Sequence, residues 1–472
     1  MVAATGRIWL ICDPMRCTSL VLSLSLVVWL AVGACGGDDS NGHLADAPPP
    51  TDGPGPDLPV TLTVTRDGAP MAGVRVYFVN ADDTVVASAS TDTTGTASAT
   101  MAAGGSVTAI NPFRGPVPVG IAFGAASDEL RTFAGVKPGD HLVLTQTAPQ
   151  TVTFTLVAGL DGNANIYDVF TTCGLGSLVP GGGGSGSGSP DPSAVLSLDD
   201  CRGAADLAIV SREVNSDVNR PVSGLYHAGA TLTAGAIVDL RGDRYGALTD
   251  INFTYLNAPD ASIVVQHFPV LAHGRLGPFQ LDASAGTAVS HEPAVAATAA
   301  VVETSLSVSG NSRHVVVDWG PFATSYMLDL DHLLLRDLVS LPSFNPTTRR
   351  MSWIEAPQGA TADLTITAID VTRFNPSPRS WRWQLAAPYT PGELRFPRLP
   401  TDVFDYTATS DDSVFAEQVM NAKVPGGYDA VRAGVLDVAD RLRNGADLSA
   451  LVAGASGRAL VVQTQNVKLQ TR

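Results

Sequence analysis

Lysine is almost absent from this chain. Only Lys137, Lys423 and Lys468 occur in 472 residues, so arginine supplies the rest of the 29 basic side chains. That scarcity argues against catalysis built on a lysine cluster. Positive charge is short overall: 29 Lys+Arg stand against 45 Asp+Glu, a net charge of -16. Phosphate binding needs a basic face, so nucleic acid is not an expected partner. Catalytic signatures are missing as well. The eight histidines form no H-E-x-x-H pair and have no C-x-x-C partner. The Gly/Ser run never places Ser in a G-x-S-x-G register. Gly174-x-Gly176 lacks the third glycine of a dinucleotide fingerprint, and no Walker A motif occurs. The chain therefore reads as a non-enzyme, with no catalytic residue, no metal site and no cofactor assigned.

What is present is apolar. Hydrophobic residues make up 45% and charged ones 16%, too much apolar surface for a wholly disordered chain. At roughly 150 residues per domain, the length suggests about three domains.

The N-terminus carries an export pattern. Residues 18–34 read TSLVLSLSLVVWLAVGA without a charge, preceded by Arg7 and Arg16 and followed by Cys35. The run is short for a membrane span and suits the apolar core of a signal peptide, 1–34. Met15 is a second candidate start, because Asp13 is unusual in such a region. Val32-Gly33-Ala34-Cys35 resembles the bacterial lipobox. That resemblance implies a diacylated Cys35, membrane attachment through it and, with Gly36 next, sorting to the outer membrane. Residues 35–58 form a Pro/Gly/Asp-rich stretch with five aspartates after the cysteine and no Lys or Arg, which is expected to be an extended tether. The tether thus carries part of the acidity of the whole chain.

Of five cysteines, Cys12 and Cys17 fall in or before the signal and Cys35 is the lipidation site. Cys173 and Cys201 remain, an even pair in an oxidising compartment. A disulfide between them would close a loop around the Gly/Ser stretch 181–193, worth about 3–4 kcal/mol on the chain-entropy model. Two buried thiols are the alternative.

Beyond the tether the reading is β almost throughout. Residues 60–65 alternate VTLTVT, and 73–80 read GVRVYFVN with Val74, Val76 and Phe78 on one face. Further strands are expected at 84–90, 106–110, 118–123, 130–136 and 141–145. The phrases Asp67-Gly68-Ala69-Pro70-Met71-Ala72-Gly73-Val74-Arg75-Val76 and Thr91-Asp92-Thr93-Thr94-Gly95-Thr96-Ala97 resemble the carboxypeptidase-regulatory-like, or prealbumin-like, β-sandwich and bacterial Ig-like repeats. The second phrase needs a positive φ at Gly95. The resemblance implies a sandwich over 59–148 that acts as a spacer or accessory module.

A second β-rich region is expected over 149–297, with the Ala/Val-rich run 294–302 joining it to a third over 298–472. No internal repeat is strong enough to argue from. The predicted fold is all-β, tandem β-sandwich domains with a short C-terminal helix at 428–444, where Val431, Val435, Val438 and Leu442 share one face. Residues 333–338 are a second short helix candidate.

Several motifs invite chemistry. His267 and His273 lie six apart, but the residues between them read as strand and turn. Asp161-Gly162-Asn163-Ala164-Asn165 resembles the start of a calcium loop without its sixth-position glycine or closing glutamate, and a hairpin turn explains it better. Asp329 and Asp331 read as a solvated strand edge or helix start. The most informative cluster is aromatic. Trp319, Trp353, Trp381 and Trp383 all fall in the third region, and Trp381 and Trp383 share a strand face. Between residues 345 and 400 seven arginines, among them Arg379 and Arg382, face four acids. Tryptophan in a sandwich usually packs a core. Exposed, the Trp353/Trp381/Trp383 face would instead stack on sugar rings or bind an acidic polymer.

The sequence thus supports a lipid-anchored envelope protein with a structural, adhesive or accessory role. The alternative is a carbohydrate-binding surface lipoprotein, and an envelope hydrolase follows behind. A glycan or an envelope protein is the partner these readings suggest.

Overall fold

The computed structural model describes residues 58–112, 128–146, 151–161, 164–178, 192–198, 203–214, 219–258, 262–283, 286–309, 312–330, 333–375, 378–433 and 456–464. All belong to one compact unit, Pro56–Arg472. The signal peptide, Cys35, the tether up to residue 57, the strand expected at 118–123, most of the Gly/Ser loop, Cys201 and residues 434–444 lie outside the described residues.

The described chain is all-β apart from one helical turn and a half. Its first segment holds β1 (Pro59–Arg66), β2 (Ala69–Pro70), β3 (Arg75–Val79), β4 (Val85–Ser90), β5 (Thr96–Thr100), β6 (Gly105–Ile110), β7 (Asp128–Val136) and β8 (His141–Gln146). The second holds β9 (Val152–Ala158), β10 (Ile166–Thr171), β11 (Gly174–Leu178), β12 (Ser193–Leu198), β13 (Ala204–Val214), β14 (Asn219–Thr231) and β15 (Ile237–Leu240). The third holds β16 (Leu248–Leu256), β17 (Ser262–Leu271), β18 (Gly274–Arg275), β19 (Phe279–Ala283), β20 (Thr287–Pro293), β21 (Ala299–Ser309), β22 (Ser312–Pro321) and β23 (Ser325–Asp329). The fourth holds β24 (Ser343–Asn345), β25 (Arg350–Ser352), β26 (Leu364–Arg373), β27 (Arg379–Pro388), β28 (Glu393–Arg395), β29 (Ser413–Lys423), the helix α1 (Gly427–Arg432) and β30 (Gly457–Thr464).

The pairing shows a repeat that no residue pattern announces. In the first three segments the opening strand pairs antiparallel with one strand and parallel with the last: β5-β1-β8, β12-β9-β15 and β20-β16-β23. Four further strands then run β4-β3-β6-β7, β11-β10-β13-β14 and β19-β17-β21-β22. The fourth segment repeats that order as β27-β26-β29-β30, with β24-β25-β28 as its small sheet. Four sandwich units therefore follow one another with the same order in their larger sheets, while the small sheet of the fourth is antiparallel throughout. The run 294–302 is not a junction between them: from Ala299 it is the inner strand β21, paired with β17 and β22 inside the third unit. Residues 333–338 are not helical either. Leu335 and Leu338 bridge to Ala360 and Glu355.

Three of the four larger sheets fuse sideways into a 13-stranded sheet. β22 pairs antiparallel with β30 from Ser312↔Thr464 to Trp319↔Gly457, and β27 pairs parallel with β7 from Trp381↔Asp128 to Ala386↔Phe133. The order in space is third, fourth, first. At the first joint the Trp319 ring lies on Gly457, where a Cβ would come within 2.3 Å of it. One buried cluster lines one face of this sheet, with Val76, Phe78, Val317 and Ile366, and another lines the opposite face, with Tyr77, Val79, Val316 and Trp383. The second unit keeps a core of its own around Phe154, Tyr167 and Ile209. Gly95 has the expected positive φ, +75°, and a Cβ there would lie 2.5 Å from the Val64 carbonyl oxygen, so only glycine fits.

Candidate functional site

Alternation along β27 puts Trp381 and Trp383 on one face, as expected, but that face is inside. Because β27 lies between β26 and β7 in a sheet covered on both sides, alternation offers it no wet face. Trp381 is 1% exposed, Trp383 3% and Trp353 5%. The Trp383 indole N–H donates to Thr132 Oγ1 at 2.8 Å, and that hydroxyl meets Thr108 Oγ1 at 2.8 Å. Trp353 donates to Glu355 at 2.6 Å. Trp381 packs edge-on against Phe404 and Tyr406, with ring centroids 5.6 and 5.9 Å away.

The arginines are engaged as well. Arg379 donates to Asp128 at 2.5 Å and stacks 4.4 Å above Phe404, while Tyr406 donates to the same Asp128 oxygen. Arg373 forms a fork with Asp412 at 2.8 and 2.7 Å, donates to the carbonyls of Asp405 and Thr407, and lies 5.2 Å over Trp381. The hydrogen bond from Arg373 to Asp412 raises the arginine pKa above its ordinary value. Asp83 takes both Arg349 and Arg395. Burial alone would raise the Asp83 carboxyl. The Arg349 hydrogen bond, the Arg398 backbone N–H and the two guanidinium charges outweigh burial and hold it below its ordinary range. Arg350 pairs with Glu393. Arg382 is half-buried and has a partner.

The Trp/Arg face expected to bind a ligand is therefore corrected. Its rings are core, and Asp83 and Asp128 of the first unit answer arginines of the fourth. Asp402 makes a third bridge between these units, accepting from Arg75 and, at 2.5 Å, from Tyr77. Burial and the Asp402 bond push the Tyr77 phenol up to about 12. The Tyr428 hydroxyl on α1 closes the joint, donating to the carbonyls of Ala134 on β7 and Ala386 on β27. Sequence reasoning missed this seam. Asp83 and Asp128 sit in unremarkable turn and strand-start positions some 250 residues or more from their arginines.

The histidines are paired separately. His267, on β17, is fully buried and meets both carboxyl oxygens of Glu292 on β20 at 2.8 and 2.9 Å. His273 caps the next turn and meets the buried Asp206 of the second unit at 2.9 Å. The two rings do not share a site. Among the described residues no group of three His, Cys, Asp or Glu is placed to hold a metal ion. Asp161 accepts from the Ser211 and Ser223 hydroxyls, and Asp329 from Asn257 at 2.9 Å; Gly162, Asn163 and Asp331 lie outside the described residues. Cys173 is disulfide-bonded, while its expected partner Cys201 lies outside them.

One buried acid titrates unusually. Glu303 on β21 is 7% exposed, and burial raises its carboxyl above the ordinary 4.5, with Arg313 and Arg275 opposing. The folded state then holds this proton to a higher pH than the unfolded state, so the Glu303 contribution to stability falls as pH rises from about 4.5 through the raised value. Glu303→Gln is expected to raise the urea midpoint at pH 7, with the gain shrinking toward pH 4. A gain that grows on acidification contradicts this.

The class defined so far is an all-β protein of repeated sandwich units, three of them fused edge to edge. No family model and no curated protein matches the chain. Solved structures similar to it include the Bacillus anthracis TIE protein (12% identity, 54% of this chain and 46% of that one, TM-score 0.14). The tip fimbrial protein Mfa3 from Porphyromonas gingivalis follows at 9% identity, covering 37% and 82%, TM-score 0.15. A Streptococcal ancillary pilin follows at 8% identity, covering 54% and 97%, TM-score 0.16. This chain thus spans less than half of the first of these proteins. Likeness at these scores supports no statement about function.

Proposed function

We propose that this protein is a lipid-anchored component of the cell envelope whose work is structural or adhesive. The observation that carries the reading is the use made of its reactive side chains. Indoles, guanidinium groups and imidazoles are engaged in joints between strands and units. A 13-stranded sheet joined in this way suits a scaffold anchored through Cys35. A Cys173–Cys201 disulfide closing the Gly/Ser loop fits the same compartment.

Two measurements test it. In the producing cell the wild-type chain is expected to partition into the detergent phase and to take up labelled fatty acid. Cys35→Ala is expected to do neither, and equal partitioning overturns the anchor. Cells lacking the chain are expected to lose envelope integrity or adherence. Turnover of an envelope polymer by the purified chain overturns the structural or adhesive role.

A further inference from the structure

The 13-stranded sheet is assembled from edge-to-edge joints, and among the described residues one end of it is open. β4 is its terminal strand, paired only with β3 among the described residues. Ala87 and Ala89 stand opposite Phe78 and Val76. The bonds Thr91 N–H to Val74 C=O and Asn80 N–H to Thr84 C=O set the parity of this ladder. By that parity the N–H and C=O groups of Ser88 and Ser90 face away from β3. Ser88 and Ser90 are exposed.

Natural sheet edges carry blocking devices, chiefly charge, proline, bulges or a covering segment. Two other strand ends of the described sheets have them, although the short edge strands β5, β11 and β12 carry neither charge nor proline. β14 contains Pro221, and Gly246 bonds to both backbone groups of Gly224 in its middle. The opposite end of the large sheet contains Pro278 between β18 and β19 and is tied to the second unit through His273 and Asp206. β4 reads VVASAS, without charge or proline, and its bulge lies at one end, between Phe78 and Val79 of its partner.

We propose that β4 is an interaction surface for a second copy of this chain, pairing antiparallel with its own counterpart so that two 13-stranded sheets become one. Three observations favour a second copy over another protein. The sheet already extends through joints of the same kind, β22 with β30 antiparallel over eight residue pairs and β7 with β27. An antiparallel pairing of identical strands is closed by a two-fold axis and leaves no further edge to propagate. A register centred on Ser88 sets Asp83 opposite Thr93 and Asp92 opposite Thr84, so none of the flanking acids meets another. The side chains in the paired stretch are small, so two backbones approach without steric cost.

The test uses the full chain in mild detergent. Light scattering is expected to give a dimer whose fraction rises with protein concentration. Ser88→Cys is expected to form a covalent dimer on oxidation, at least tenfold more than Val195→Cys on the exposed face of the second unit. Ser88→Lys brings like charges together at the two-fold axis and is expected to give a monomer with an unchanged unfolding midpoint. Ser88→Pro removes an outward N–H and is expected to act in the same way; should it fail to fold, the lysine variant decides. A wild-type monomer at every concentration overturns the proposal, including the case where β4 takes up an extended segment of another protein. A dimer that survives Ser88→Lys, or equal cross-linking at Val195→Cys, overturns it too.

Discussion

Truncation of Trp381 to alanine is expected to destabilise the protein by about 3–5 kcal/mol, the range for emptying a large aromatic site in a core. The indole is 1% exposed and meets Phe404 and Tyr406 edge-on, a geometry worth about 0.5–1.5 kcal/mol per pair beyond area burial. Arg373 lies over its face and is held by Asp412 and two carbonyls, so it cannot swing in to fill the space. Chemical denaturation of Trp381→Ala against wild type measures the loss. A loss below about 1 kcal/mol would mean that the ring lies on the surface, and would restore the stacking platform that its burial removes. Trp381→Phe, which keeps much of the volume, is expected to recover a substantial part of the stability.

The fate of that tryptophan shows where the sequence is legible. The strand itself is plain in Ser380–Ala386, and so is the shared face of Trp381 and Trp383. Whether the face is wet depends on β7, more than 250 residues earlier in the chain, lying alongside β27 in parallel. Nothing within either strand specifies that pairing. The local charge excess misleads for the same reason, because Asp83 and Asp128 come from outside the arginine-rich window. Turns are different. The Thr91–Gly95 turn, with its positive φ, is legible because its cause lies in five adjacent residues. The repeat is hidden for yet another reason. β1, β9 and β16 are equivalent in the topology, yet what they share is only an alternation that any half-buried strand shows.

Charge placement follows a division of labour between the joints. Arginine, always charged, bridges the first and fourth units through Asp83, Asp128 and Asp402. Histidine bridges the second and third units through Asp206 and, between β22 and the segment following β23, pairs His314 with Asp337. The His314 hydrogen bond is the main cause that holds the Asp337 carboxyl below its ordinary range. Its stabilising contribution is therefore present at neutral pH and fades as pH falls through that lowered value. The arginine joints fade in the same direction, because Asp83 and Asp402 are likewise held below the ordinary carboxylate range.

The second large effect is expected within the third unit. Glu292→Ala should cost about 3–5 kcal/mol, the loss typical of leaving one member of a buried hydrogen-bonded pair alone. His267 is 0% exposed and Glu292 1%, and the pair spans the sandwich from β17 to β20. Removing the carboxyl leaves the buried His267 Nδ1 atom without that partner, and a desolvated polar group without a partner is costly. His267 also meets the Tyr326 hydroxyl at 3.3 Å through Nε2, and that hydroxyl accepts from the Ala323 N–H. The network therefore loses its terminal acceptor rather than an isolated contact. Replacing both residues by leucine removes both polar groups at once, so the double variant is expected to recover most of the loss, as buried pairs elsewhere do when apolar side chains of similar volume replace them. The four proteins of a double-mutant cycle, measured by urea denaturation, give the coupling directly. Strictly additive losses would show that His267 and Glu292 are merely neighbours, and that the apolar contacts around Phe253 and Tyr326 hold this sandwich closed without them.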